Sequence, residues 1–249
     1  MVKRRSVECT HDIQAASTRG KLSVSRLWPV AIIVAGACIF SSLGWDRYLT
    51  FDSLRENRET LLHWTSDNRF LAITLFIIGY VVVVAFSLPG ATWMTLGGGF
   101  LFGTALSIAV VVFAATLGAV AIFLIARYAL ADYFRAKMGS AGDRIEAGFR
   151  ENALSYLLFL RLIPLFPFWL VNLVPAFVGV SLRTYAIGTF VGIIPGSAVF
   201  CSVGNGLGVV FDAGGTPDLG IIFQPKILGP IFALAIMSLL PVIYRRIRS

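Results

Sequence analysis

The 249 residues are 57% hydrophobic and only 14% charged, with a mean hydropathy of +0.81. Soluble domains carry roughly a quarter charged residues, so this composition excludes a soluble globular protein and indicates an integral membrane protein. The net charge of +8 does not mark a nucleic-acid binder, because the basic residues flank apolar spans instead of forming an aromatic-interleaved patch; positive-inside anchoring accounts for them.

Residues 1–26 are polar, with Lys3, Arg4, Arg5, Arg19, Lys21 and Arg26 and no apolar periodicity, and read as a disordered basic tail in the cytosol. The apolar run 27–44 is about long enough to cross a membrane and is taken as a first, uncleaved transmembrane helix. Residues 45–69 mix Trp45, Tyr48, Leu49, Leu61, Leu62 and Trp64 with both charge signs. Their apolar residues recur every three or four positions, as in an interfacial amphipathic helix.

The apolar stretch 70–126 is too long for one crossing and is interrupted at Pro89-Gly90, at Gly97-Gly98-Gly99 and at Gly103. Proline removes a ladder hydrogen bond and glycine permits unusual dihedrals, so a re-entrant hairpin near 72–102 and a crossing near 104–126 are predicted. Ordinary small-residue helix packing is the other reading of the glycine run. Residues 127–153 carry Arg127, Arg135, Lys137, Arg144 and Arg150 and read as an inner-side amphipathic segment.

A second hairpin is predicted near 154–180, where an almost wholly apolar sequence contains Arg161, Pro164, Pro167 and Pro175. An arginine at membrane depth costs about 2.5–3.5 kcal/mol on insertion scales, and broken backbone survives there only in shelter. A crossing near 183–208, an acidic outer loop with Asp212 and Asp218, and a last span near 226–244 follow, the segment 226–249 ending in a basic tail. With both termini inside, every loop obeys the charge rule, and the two hairpins enter from opposite sides as an inverted repeat. At a constant offset, Pro89, Gly97 and Gly118 match Pro167, Pro175 and Gly196. The fold class is therefore an all-α polytopic membrane protein with two facing re-entrant helical hairpins in an inverted repeat and flanking transmembrane helices.

Candidate chemistry is sparse. Cys9, Cys38 and Cys201 lack paired spacing, and His11 and His63 are isolated, so no metal site or cofactor is expected. Arg161 either snorkels or meets a lipid phosphate, which its planar fork matches. Asn172, among apolar neighbours, is either an inter-hairpin hydrogen bond or a headgroup ligand. Trp93 and Trp169 are lipid-path or packing aromatics, and Arg127 and Arg183 are interface anchors.

The run SLPGATWMTLGGGFLFG (87–103) with ARYALADYFRAKMG (126–139), and the segment 160–196 with its R-x-x-P-x-x-P element at Arg161, Pro164 and Pro167, resemble the DedA-like, SNARE-associated Golgi-protein superfamily. The resemblance covers roughly residues 70–210, the DedA-like membrane domain, and is greater to the Tvp-type branch than to DedA proper. It implies facing re-entrant hairpins and lipid scramblase or flippase activity, with undecaprenyl phosphate or phosphatidylethanolamine as proposed bacterial cargo and with suspected proton coupling. Carried over, Arg161 is the membrane-embedded basic residue; Pro164 and Pro167, with Pro175, belong to the second hairpin tip; Pro89, Gly90 and Gly97 to Gly99 belong to the first. DedA proper uses intramembrane carboxylates in its first half, and none occurs here between Asp67 and Asp132. Carboxylate-based proton coupling is not supported, and passive scrambling needs no such group.

The resulting expectation is a non-enzymatic transporter of phospholipid or lipid-linked phosphate between leaflets of a bacterial plasma membrane. Its partner is the lipid, with self-association into a homo-oligomer admitted. The rivals are an ion-coupled small-solute transporter and a non-transport membrane organiser acting through 45–69 or 127–153.

Overall fold

The computed structural model describes residues 55–88, 90–129, 152–163, 168–213 and 219–248, which contain helices and no strand. The first-helix reading at 27–44, the tail 1–26, most of the 127–153 segment and Pro89, Pro164 and Pro167 lie outside them. The helices are α1 (Arg58–Asp67), α2 (Arg69–Ala85), α3 (Ala91–Phe102), α4 (Thr104–Ala129), α5 (Asn152–Leu162), α6 (Phe168–Phe177), α7 (Leu182–Asp212) and α8 (Pro225–Arg248). A 3-10 turn at Leu219–Phe223 precedes α8.

Hydrocarbon offers no partner to backbone amides, so apolar sequence of this kind satisfies them within helices. Among the described residues, three helices are long and apolar enough to cross a membrane, at Thr104–Ala129, Leu182–Phe211 and Pro225–Val242. These coincide with the crossings predicted from hydropathy. The helix α2 is joined to α1 through a 111° bend at Asn68, whose φ of −120° and ψ of 43° leave the helical region. In α1 the half-buried or buried residues are Arg58, Leu61, Leu62 and Thr65, one face at helical spacing, and Leu62 packs against Phe100, Leu207 and Phe211. The amphipathic pattern thus seats α1 on the ends of α3 and α7, while Trp64 is 42% exposed.

Two halves share one plan. An arm (α2 or α5) is followed by a shorter return helix (α3 or α6), and then by a long helix (α4 or α7). The sharp corner before each long helix has a residue in the left-handed region that glycine occupies at no steric cost, Gly103 (φ 74°) and Gly179 (φ 73°). The sequence offset that relates Pro89 to Pro167 also relates Thr104 to Leu182, the first residues of α4 and α7. The return helices are exchanged between halves: α3 packs on α7, and α6 packs on α4. Each arm packs on its own long helix through glycine, with Gly118 against Val81 and Val84, and Gly188 and Gly192 against Leu157 and Arg161. The largest core cluster, including Val84, Phe123, Leu157 and Tyr185, lies where these elements meet.

Two placements differ from the sequence expectation. Gly97, Gly98 and Gly99 do not form the hairpin tip; they lie inside α3, after turn residues Phe86 and Ser87, and Gly90 (φ 143°) opens α3. Pro175 likewise lies inside α6. The reason for the glycine run is packing. A Cβ on Gly99 would overlap the carbonyl oxygen of Cys201, and one on Gly204 would overlap the carbonyl oxygen of Leu96, so α3 and α7 meet backbone to backbone.

Gly99→Ala or Gly204→Ala is therefore expected to lower the Tm of the purified protein in detergent by several degrees. Gly97→Ala meets nothing within 4 Å and is expected to leave Tm equal or slightly raised, by the roughly 0.5–1 kcal/mol that alanine gains over glycine in a helix. Equal effects at Gly97 and Gly99 in a thermal-unfolding series would contradict the backbone contact.

Candidate functional site

Arg161 sits near the end of α5, half-buried. Its stem lies on Gly192 of α7, where a Cβ would come within 2.7 Å of the arginine Cβ. This absent side chain lets the guanidinium reach inward between α6 and α7. There Nη2 donates to Asn172 Oδ1 at 2.8 Å, to the Tyr185 hydroxyl at 3.0 Å and to Thr189 Oγ1 at 3.0 Å. The Tyr185 hydroxyl in turn donates to Asn172 Oδ1 at 3.1 Å. Asn172, Tyr185 and Thr189 are all 0% exposed.

All three acceptors are neutral, and no acidic residue occurs between Glu151 and Asp212. Neutral acceptors satisfy protons without cancelling the charge. The guanidinium carbon also stands 5.6 Å from the centre of the Tyr185 ring, within cation–π range, and that ring is stacked on Phe123 at 4.3 Å and 19°. Two buried donors, Arg161 Nε and Asn172 Nδ2, have no hydrogen-bond partner among the described residues.

Arg161 lines a cavity of about 330 Å³, within the range of small-molecule sites. Both halves of the repeat build it: Tyr80 and Thr95 come from the first and Arg161 and Ser197 from the second, while Phe223 and Ile231 supply apolar wall from the 3-10 turn and α8. The Thr95 hydroxyl donates to Ala91 O at 2.8 Å, which makes the Tyr80 hydroxyl the donor in its 2.9 Å bond to Thr95. None of the described lining residues is acidic.

The structure brings Arg161 and Asn172 into direct contact. Asn172 bonds within its own half, to α5 and α7, instead of across to the first hairpin, and it lies behind the cavity wall, not on it. It is therefore a positioning residue. Gly90 closes the first turn, Gly97 faces open space and Gly98 meets Phe76. Trp93 is 36% exposed, and the side chain of Trp169 lies outside the described residues. Arg127 donates to the Val180 carbonyl at 3.1 Å, tying the end of α4 to the corner before α7, and Arg183 is exposed. Among the described residues no His, Cys, Asp and Glu group could hold a metal. Sequence reasoning missed Tyr185, Thr189, Tyr80 and Thr95. The one available signal was the i, i+4 spacing of Tyr185 and Thr189 on the helix face that carries Gly188 and Gly192.

Tyr185→Phe keeps the stacked ring and removes the hydroxyl that accepts from Arg161 and donates to Asn172. It is expected to cost about 1–3 kcal/mol, the usual penalty for unpairing a buried polar group. Chemical unfolding in detergent reads this, and stability unchanged from the unsubstituted protein would contradict the network.

Residues 88–206 match the VTT domain. The chain is 34% identical to the transmembrane protein 41 homolog of Dictyostelium discoideum over 200 residues, covering 79% of this chain and 58% of that protein. It is 28% identical over 178 residues to transmembrane protein 41B of Gallus gallus and of Homo sapiens, in each case 70% of this chain, and 64% and 59% of the relative. The chain thus spans about six-tenths of the length of these relatives. No solved structure gives a significant match. With its VTT domain, its helical spans and relatives that fit the Tvp-type branch, the chain is an integral membrane protein that belongs to the DedA-like, SNARE-associated Golgi-protein superfamily.

Proposed function

We propose that this protein moves a phospholipid or lipid-linked phosphate between membrane leaflets. One observation carries the reading: Arg161, whose guanidinium is held by neutral side chains among the described residues, lines a cavity to which both halves of the molecule contribute. Dragging a charged headgroup through hydrocarbon is costly because nothing replaces its hydration. Arg161 and the Ser197 hydroxyl offer a partial replacement where the halves meet, and the acyl chains stay in lipid. Guanidinium suits this task because it binds phosphate oxygens in a planar fork. Asn172 holds the fork in place from behind.

No covalent step and no cofactor enter the proposal. A cavity wall without acidic residues among those described supports passive exchange over coupling to a cation through a carboxylate. The loop charges support an orientation with both termini in the cytosol, and the short loops support a bacterial plasma membrane; labelling of Cys9 by an impermeant thiol reagent in sealed cells would contradict that orientation.

In liposomes carrying fluorescent phospholipid in both leaflets, an external bleaching agent is expected to remove more than half of the label when the protein is present. Arg161→Lys should slow the excess bleaching by an order of magnitude or more, since charge-assisted hydrogen bonds worth about 1.5–3 kcal/mol each lose their geometry. A well-folded protein that leaves the inner label protected would overturn leaflet exchange and favour a small-solute carrier. Equal rates in Arg161→Lys would remove the fork from the path.

A further inference from the structure

Leu162, Ile222, Phe223, Leu228 and Ile231 line the cavity along with Arg161, so a single cation shares the space with an apolar wall. Ile222 is 5% exposed and Phe223, the next residue, is 63% exposed. Both line the cavity, and the 3-10 turn that carries them is therefore the place where the cavity wall becomes the outer surface of the protein. That wall is also the loosest. The helices α2 and α4 close through Gly118 against Val84, and α3 and α7 through backbone contacts at Gly99 and Gly204. In α8 only Ala235 is buried among the described residues. It packs on Leu162 and Ile163, the two residues that follow Arg161. Between Ala235 and the 3-10 turn lie Gly229, where an added side chain would meet nothing within 4 Å, and Pro230, inside the helix. Proline removes a bond from the helical ladder, so the lining residues Leu228 and Ile231 flank a weak point of α8. Farther along the same helix Leu234, Ile236, Met237 and Leu240 are exposed.

A cavity of about 330 Å³ lies at the small end of ligand sites and cannot enclose a two-chain lipid whole. An apolar wall that runs from a cation to an apolar outer surface fits an amphiphile whose charged head is inside and whose chains point out. A small hydrophilic solute would lose hydration against such a wall and gain nothing from it. We infer that the 3-10 turn and the start of α8 form a side door to the bilayer, where the acyl chains of a bound lipid lie against Ile222, Phe223 and Ile231 while its phosphate meets Arg161. This rests on the lipid reading above and names the surface on which the chains rest.

Photolabelling tests it. The full chain in phosphatidylcholine liposomes is irradiated with phosphatidate that carries a diazirine in one acyl chain, or with the diacylglycerol that has the same chain and no phosphate. Adducts are then mapped by peptide mass spectrometry. Both probes are expected to mark Leu240, which faces outward, and phosphatidate is expected to mark Ile222 and Ile231 as well. The yield at Ile222 relative to Leu240 should be about tenfold or more higher with phosphatidate, the factor that one charge-assisted hydrogen bond supplies. In Arg161→Gln it should fall to the diacylglycerol level. The comparison of the two probes is made on the unsubstituted protein and stands even where that variant does not fold.

Equal relative yields at Ile222 for the two probes would overturn the inference, as would adducts confined to Leu234, Ile236, Met237 and Leu240, the pattern that a protein partner covering the door would give. Leaflet exchange measured in the same liposomes keeps the two claims apart. Phosphate-dependent labelling of Ile222 without exchange keeps the door as a lipid-binding surface and removes the transport reading. Exchange without labelling of Ile222 or Ile231 keeps the transport reading and overturns this route for the chains.

Discussion

A guanidinium inside an apolar helical protein has to find acceptors for its protons, and the kind of acceptor decides what is left of its charge. A carboxylate would satisfy and neutralise Arg161 together. Asn172, Tyr185 and Thr189 satisfy Nη2 and leave the positive charge in place. Because the acceptors lie on α6 and α7 while the cation lies on α5, meeting them fixes three helices in one arrangement. The penalty for breaking such a network is large, since each partner is fully buried and has no water to turn to. The same network that orders the second half thus preserves an uncancelled charge at the cavity wall.

That charge would be idle without the other half of the repeat. The backbone contact of α3 with α7 at Gly99 and Gly204 brings the Tyr80–Thr95 pair and the start of α3 to the same space. Exchange of the return helices, α3 onto α7 and α6 onto α4, makes each half incomplete alone. The remaining wall, from the 3-10 turn and α8, is less firmly held. Packing of α8 on the core centres on Ala235 against Leu162 and Ile163, while Leu234, Ile236, Met237 and Leu240 are exposed. An element with few buried contacts lies at the low end of local stability, and here that element borders the cavity.

Much of the architecture was legible in the sequence because membrane spans announce themselves through length and apolarity. The crossings at α4, α7 and α8 follow from hydropathy, and the plan of arm, turn, return helix and long helix follows from the positions of glycine and proline. Arg161 was legible as an anomaly, a charge where charge is costly. Its partners were not. Tyr185 and Thr189 are unremarkable in a membrane helix until the fold sets them against a particular arginine, and Asn172 gave no clue whether it bonded within its half or across. The glycine run illustrates the same limit. Glycine signals either a corner or a close approach, and only the neighbouring backbone of Cys201 decides that Gly99 is the second. Gly103, a few residues later, is the first.

The central claim is that Arg161 presents an uncancelled positive charge to a cavity shared by both hairpins. Reaction rates of a cysteine introduced at Thr92, a lining position, test it most directly, in protein with Cys9 and Cys38 replaced by serine and the buried Cys201 retained. An anionic methanethiosulfonate is predicted to react faster than a cationic one, and Arg161→Gln is predicted to abolish most of that preference. Equal rates for the two reagents, or a preference unchanged by Arg161→Gln, would contradict the account.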